Sequence, residues 1–277
     1  MGAPVIMTCF AGRRRYLEIL VKYVDALINK GLVDEFHVWD YTRDSNDAVW
    51  IRDNCQKFKI FTVQDKSTWK EYYMHYAKIK YPDPETVLVK CDDDIVFIDV
   101  DGFQNWIDQR RLNKKHLLSF ASIVNNKVPG VIQHHFGQWP EVSLNEIDNT
   151  MFSSSVPTKL HTNFIQNCEN FIKIARDIPD EKRTCTIQKN HDALVNINFF
   201  SILAKDLNLF EHCWESDEYD LSQRIPVFIN RSNYIDPGFV VCHLSFFGQR
   251  ELGFDETEIL KGYSDLAVAT LDNVIDH

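Results

Sequence analysis

The stretch Thr86-Val87-Leu88-Val89-Lys90-Cys91-Asp92-Asp93-Asp94-Ile95-Val96-Phe97-Ile98 constrains this chain more than any other. An apolar, β-branched run delivers three consecutive carboxylates and then turns apolar again, which reads as a buried strand. Side chains alternate along a strand, so Asp92 and Asp94 are expected on one face and Asp93 on the other, as a supporting group. Carboxylates this close raise one another's pKa unless positive charge offsets them. A hard divalent cation is the usual partner for such oxygen ligands. The bland alternative is a solvated acidic turn between two strands, and the apolar runs on both sides argue against a freely solvated loop.

Strands and helices alternate over the first hundred residues. Residues 4–10 read as a first strand, followed by Ala11-Gly12-Arg13-Arg14-Arg15 and a helix in which Leu17, Leu20, Val21, Val24, Leu27 and Ile28 recur at helical spacing up to a stop at Gly31. A second strand is expected at 35–41, a helix near 46–55 and a third strand at 58–63. Ser67 is a candidate cap for a helix with an aromatic face of Trp69, Tyr72, Tyr73 and Tyr76, ending before Pro82 and Pro84. This alternation argues for a doubly wound, mainly parallel α/β sheet that binds ligands beyond the carboxyl ends of its strands, where Asp92 to Asp94 fall. The second half is less regular, with strands expected near 116–124, 226–229 and 239–244 and helices at 163–175 and 193–207. Long polar connections at 142–159 and 178–190 look like functional loops. A chain of 277 residues with no repeat and no low-complexity linker is read as one continuous domain.

A net charge of -10 disfavours general affinity for a nucleic acid backbone. The tight basic cluster Arg13-Arg14-Arg15 in so acidic a protein points to a small anionic ligand, or to a solvated helix start. Seven cysteines without regular spacing read as reduced, buried thiols of an intracellular protein. With neither a signal peptide nor an apolar run near 20 residues, a soluble cytoplasmic protein without a membrane span is expected.

Further candidates follow from position. Arg13 or Arg14 can clamp phosphate or stack on a base, and Lys78, on the helix before the acidic run, can meet a diphosphate. Each is also an ordinary solvated helix charge. Asp40, ending the second strand, is a partner for a base or ribose, or a turn residue. Trp139, in Gly137-Gln138-Trp139-Pro140, offers a flat face to a sugar.

An Asp-x-Asp element after an apolar strand, preceded by strand-helix units, resembles the GT-A fold of nucleotide-sugar glycosyltransferases, and several motifs in order carry that resemblance over most of the chain. Thr8-Cys9-Phe10 followed by the arginines looks like the family's first strand and nucleotide-contacting turn. Val89 to Phe97 is similar to its metal signature. Asn190-His191-Asp192 is similar to the element opening an acceptor-side helix, with His191 departing from the usual acidic residue, and Cys242-His243-Leu244 resembles the late histidine completing the metal site. The resemblance implies a nucleotide-sugar-binding half at 1–100 and an acceptor half at 101–277, with Asp94 and His243 on Mn²⁺ or Mg²⁺. It implies Thr8, Phe10, Arg13, Arg14, Asp40, Lys78, Asp92 and Asp93 around a UDP-sugar donor, and Asp192 as the base that deprotonates a glycan acceptor in an inverting transfer. Size and sequence detail look most like chlorovirus-encoded members, which implies xylose passed to the fucose of a capsid N-glycan in the host-cell cytoplasm.

The chemistry supports the metal without the resemblance, because a leaving nucleoside diphosphate needs its growing charge neutralised. A lone histidine beside a strand is otherwise a hydrogen-bonded core residue, and Asp192 is otherwise an acidic residue in a first helical turn. Two other classes remain open. A sugar nucleotidyltransferase uses the same acidic residues and metal, although Ala11-Gly12-Arg13 is a poor phosphate loop. A non-catalytic nucleotide- or carbohydrate-binding module is the other.

Overall fold

A computed structural model describes residues 2–187 and 194–275. Strand β1 (Val5–Ala11) is buried on both faces, with only Phe10 half-buried. Its side chains alternate between two apolar layers, Val5, Met7, Cys9 and Ala11 in one and Ile6 in the other. Helix α1 (Arg14–Asn29) turns Tyr16, Leu17, Leu20, Val24 and Leu27 onto that first layer. Gly31 closes it at φ +68°, a left-handed conformation that glycine adopts at little cost. Strand β2 (Glu35–Asp40), helix α2 (Ser45–Asn54), strand β3 (Lys59–Thr62), helix α3 (Lys70–Lys78) and strand β4 (Val87–Asp92) follow as repeated strand-helix units.

The chain continues through β5 (Ile95–Ile98), helix α4 (Phe103–Leu112), β6 (Ser119–Val124), helix α5 (Lys127–His135), β7 (Cys185–Thr186), β8 (Phe199–Leu203) and β9 (Tyr234–His243). The strands form one sheet in the order β3-β2-β1-β4-β8-β6-β9-β5, with β7 paired to β9. β1 to β4 are mutually parallel, and β8 is inserted antiparallel between β4 and β6. β9 runs parallel to β6, and β5 and β7 antiparallel to β9. Six of the nine described strands therefore point one way, and the protein is a single-domain α/β fold with a mostly parallel mixed sheet. Helix α1, α4 and the helices Ser155–Arg176 and Thr257–Ile275 contribute to one apolar layer, and the aromatic face of α3 contributes to the other.

The structure corrects several local expectations. The acidic run is two strands: β4 ends at Asp92, Asp93 and Asp94 turn, and β5 crosses to the opposite end of the sheet. Both edges of β4 are already taken by β1 and β8, so the chain cannot continue as a neighbour there. The expected helix at 193–207 includes instead β8 and a 3-10 segment, Ala204–His212, with Ala193 outside the described residues. Phe199 and Leu203 enter one apolar layer and Phe200 and Ile202 the other, the period-two pattern of a strand. The expected strand at 226–229 is a short helix, Ile225–Phe228, with Pro226 in its first turn, where the missing N–H is no loss. Ser67 does not cap α3, because its hydroxyl and backbone N–H both donate to Asp65. The connection at 142–159 contains a capped helix, Leu144–Asp148, and the start of Ser155–Arg176.

Near the start of β9, Asp236 is fully buried and accepts from Arg183 Nε at 3.0 Å and Nη2 at 3.1 Å. The guanidinium lies where a Cβ on Gly238 would be, 2.5 Å away, so only glycine lets it approach. Arg183→Leu is expected to cost about 3–5 kcal/mol in urea denaturation, because it leaves a buried carboxylate unpaired. A loss under about 1 kcal/mol would show that the pair does not support β9.

Candidate active site

Strand order brings one set of polar side chains to the carboxyl edge of the parallel strands. β1 ends in Gly12 and Arg13, β2 in Asp40, β4 in the Asp92-Asp93-Asp94 turn and β9 in His243, while antiparallel β8 starts beside them at Asn198. Arg13 Nη2 donates to Asp93 Oδ1 at 2.6 Å and to Asp94 Oδ2 at 2.8 Å. Asp93 also accepts from the Gly12 backbone N–H at 2.8 Å. Asp93 and Asp94 thus share one partner, contrary to the expectation of opposite faces, because they lie in a turn and no longer alternate as in a strand. His243 Nε2 lies 3.4 Å from Asp94 Oδ1, with its ring against Phe246.

Asp92 belongs to a second charged group. The buried Lys90 ammonium donates to Asp92 Oδ1 and, at 2.9 Å, to the carbonyl of Ile197, and it lies 4.9 Å from the Phe10 ring centre. Asn198 Nδ2 donates to the other Asp92 oxygen at 2.8 Å. Burial works to discharge Lys90, and Asp92 and Asp217 outweigh it and hold the ammonium above the ordinary lysine value. Burial likewise pushes the carboxyls of Asp217 and Glu218 up. For Asp94 burial is also the largest influence, but His243 and Arg13 together outweigh it and keep the carboxyl well below the usual range.

A cleft of about 590 Å³ opens beside these groups, lined by Phe10, Gly12, Arg13, Tyr41, Arg43, Lys66, Trp69 and Asp217 among others. Its size is that of an ordinary small-molecule site. Phe10 and Tyr41 meet edge to face with ring centres 5.0 Å apart. Lys66 donates to Asp40 at 3.1 Å and to the Thr42 carbonyl at 2.7 Å.

Of the residues expected at the nucleotide, Phe10 and Arg13 line this cleft. Asp40 is the turn residue of the two readings, bonded to the Thr42 N–H and to Lys66. Arg14 is exposed, pairing with Glu18 and lying over Trp50. Thr8 is corrected to a core residue, its hydroxyl bonded to Tyr72 at 2.7 Å and to the Val89 carbonyl. Lys78 is also corrected: it is exposed in the last turn of α3, which runs from the carboxyl edge of β3 back toward the start of β4. Trp139 stacks on no surface ligand, being buried against Phe171 with its indole N–H on Gln133. Asp192 and its neighbours Asn190 and His191 lie outside the described residues. The sequence reading gave no site role to Lys90, Arg43, Lys66, Trp69, Asp217 or Glu218, which the structure places in or beside this cleft. Lys90 carried a usable signal, a lone charge inside an apolar strand, and Arg43 and Lys66 sit in the loops after β2 and β3, where an α/β sheet places ligand contacts.

The metal expectation meets a sparse donor set. Among the described residues no group of three or more His, Cys, Asp or Glu side chains is placed to hold an ion. Asp94 and His243 are nevertheless brought together, and Asp94 Oδ1 and His243 Nδ1 are buried without a hydrogen-bond partner. The Asp94 carboxylate fits a cation of the Mg²⁺ type, which takes one or two carboxylates and completes its shell with water and substrate phosphates, whereas an imidazole ligand suits Mn²⁺ better. No described helix is long and apolar enough to cross a membrane.

No model of a protein family matches the sequence, and no curated protein does. Among solved structures, the chain is similar to the 4-diphosphocytidyl-2C-methyl-D-erythritol synthase of Anaerococcus prevotii DSM 20548, with 13% identity and a TM-score of 0.45 over 95% of this chain and 96% of that one. It is also similar to a CMP:2-keto-3-deoxy-manno-octonic acid synthetase complexed with CTP, with 9% identity and a TM-score of 0.45 over 87% and 90%. The expectation of glycosyl transfer is set aside: the similar structures are named as a synthase and a synthetase of nucleotide-linked compounds, not as glycosyltransferases. The xylose donor, the fucose acceptor and the viral source expected with it are set aside too.

Lys90→Met is expected to destabilise the protein by about 2–3 kcal/mol, below the about 3–5 kcal/mol of a fully buried broken pair, because Asp92 is 24% exposed. Adding Asp92→Asn should recover most of that loss in urea denaturation, and an additive double variant would mean that the two charges are not coupled.

Proposed function

We propose that this chain is a metal-assisted sugar nucleotidyltransferase, joining the nucleotidyl part of a nucleoside triphosphate to a sugar phosphate or sugar acid. The observation that supports this most is the cleft itself, in which Phe10, Tyr41 and Trp69 stand among Arg13, Arg43 and Lys66 beside buried Asp94. Aromatic faces accept a base by stacking, and guanidinium and ammonium groups meet phosphate oxygens with charge-assisted bonds. In the reaction an acceptor oxygen attacks the α-phosphorus, a new P–O bond forms, and the bond to the bridging oxygen breaks to release pyrophosphate. Transfers between phosphates ask a protein mainly for positioning and for charge stabilisation. Cationic side chains on this cleft take the part that a glycine-rich loop plays elsewhere.

Arg13 is the residue on which this reading turns. Its guanidinium is held by Asp93 and Asp94 and is 35% exposed, so it can hold the acidic turn and face a triphosphate. Asp94, kept ionised by Arg13 and His243, would hold Mg²⁺, or Mn²⁺ with the His243 imidazole. Held there, such an ion would supply Lewis-acid neutralisation of the charge on the triphosphate and on the departing pyrophosphate.

Pyrophosphate release tests the proposal, with CTP, UTP, GTP and ATP each offered with Mg²⁺ and a panel of sugar 1-phosphates and sugar acids. Release that requires both substrates is expected, and Arg13→Ala should lower it by about 10²-fold, the scale of losing a group that stabilises developing charge. Asp94→Asn should abolish it. Triphosphate binding in calorimetry without pyrophosphate from any pair would leave a binding module and end the catalytic reading.

A further inference from the structure

At the amino edge of the sheet, away from the cleft, β6 and β9 begin beside the last turn of α4. Arg110, in that turn, is fully buried. Its Nη2 donates to the carbonyls of Asn113 at 3.2 Å and His116 at 2.9 Å, while Nε and Nη1 have no hydrogen-bond partner. The carboxylate whose charge favours Arg110, Asp206, is held by Arg231 through both ends of its guanidinium at 2.6 and 2.9 Å, and the Arg231 charge opposes that of Arg110. The Tyr234 ring centre lies 5.9 Å from the guanidinium, and the buried His116 ring lies 5.1 Å from Tyr234.

Arginine does not lose its proton in a protein, and a buried charge with unmade donors is costly. Burial lowers His116 to about 4, so at neutral pH it adds no second charge. We propose that Arg110 binds a small inorganic anion, chloride in ordinary salt, through Nε and Nη1. Water would satisfy the donors but add no negative charge to that of Asp206, which Arg231 already holds. The bound ion completes the packing between α4 and the first residues of β6 and β9.

The test uses the unliganded full chain. Its melting temperature is compared in sodium chloride, sodium bromide and sodium gluconate at equal ionic strength, alongside Arg110→Met. A melting temperature about 2–4 °C higher in the halides is expected for the wild type, and no difference among the salts for the variant. Crystals grown in bromide should show an anomalous-scattering peak within hydrogen-bond distance of Arg110 Nε or Nη1, which decides the matter alone should the variant fail to fold. Equal melting temperatures in all three salts, or crystals without that peak, overturn the proposal.

Discussion

One guanidinium gathers the candidate site. Arg13 leaves the end of the first strand and grips Asp93 and Asp94, two consecutive carboxylates that would otherwise repel each other at the end of the fourth. Asp93 accepts the Gly12 N–H as well, so the turns after β1 and β4 are fastened by side chain and backbone together. Asp94 carries the linkage on to His243 at the end of β9. The ladders bring the ends of three strands that are far apart in the sequence to one edge, and a single positive group offsets the carboxylates gathered there.

Next to this linkage lies a second ion pair, and the two divide the acidic triplet. Lys90 and Asn198 hold Asp92 between β4 and β8, while Arg13 takes Asp93 and Asp94. The outer side of Arg13, with Arg43 and Lys66, faces the cleft. Asp44, Asp47 and Asp217 line the same cleft, so cations and carboxylates face each other there as they do within the acidic turn.

Much of the first half was legible from pattern. The helical spacing of Leu17, Leu20, Val24 and Leu27, the stop at Gly31 and the carboxylates ending an apolar strand each follow from local physics. The second half was legible only in part, because its strands are placed by partners distant in sequence. Nothing local says that the run after Asp94 must cross to β9, or that Phe199 to Leu203 slots between β4 and β6. Residue roles divided in the same way. Arg13 stood out as charge in an acidic chain, whereas Thr8 looked like a ligand contact until its hydroxyl was found bonded inside the sheet. Lys78 looked well placed until the direction of α3 was known. Lys66 and Arg43 had no motif to mark them and gain meaning only as neighbours of Phe10 and Tyr41.

The insertion of β8 against β4 has a consequence for the nascent chain. Asn198 reaches Asp92 across 106 residues, and β9 supplies His243 later still. During synthesis the four parallel strands emerge first, with one side of β4 open and three acidic residues at its tip awaiting some of their partners. Pairings this remote are slow to form and expose unpaired edges in the meantime. A ribosome that stops before β8 would release a half-sheet whose open β4 edge is prone to pair with copies of itself, and the site comes into being only once β9 has followed.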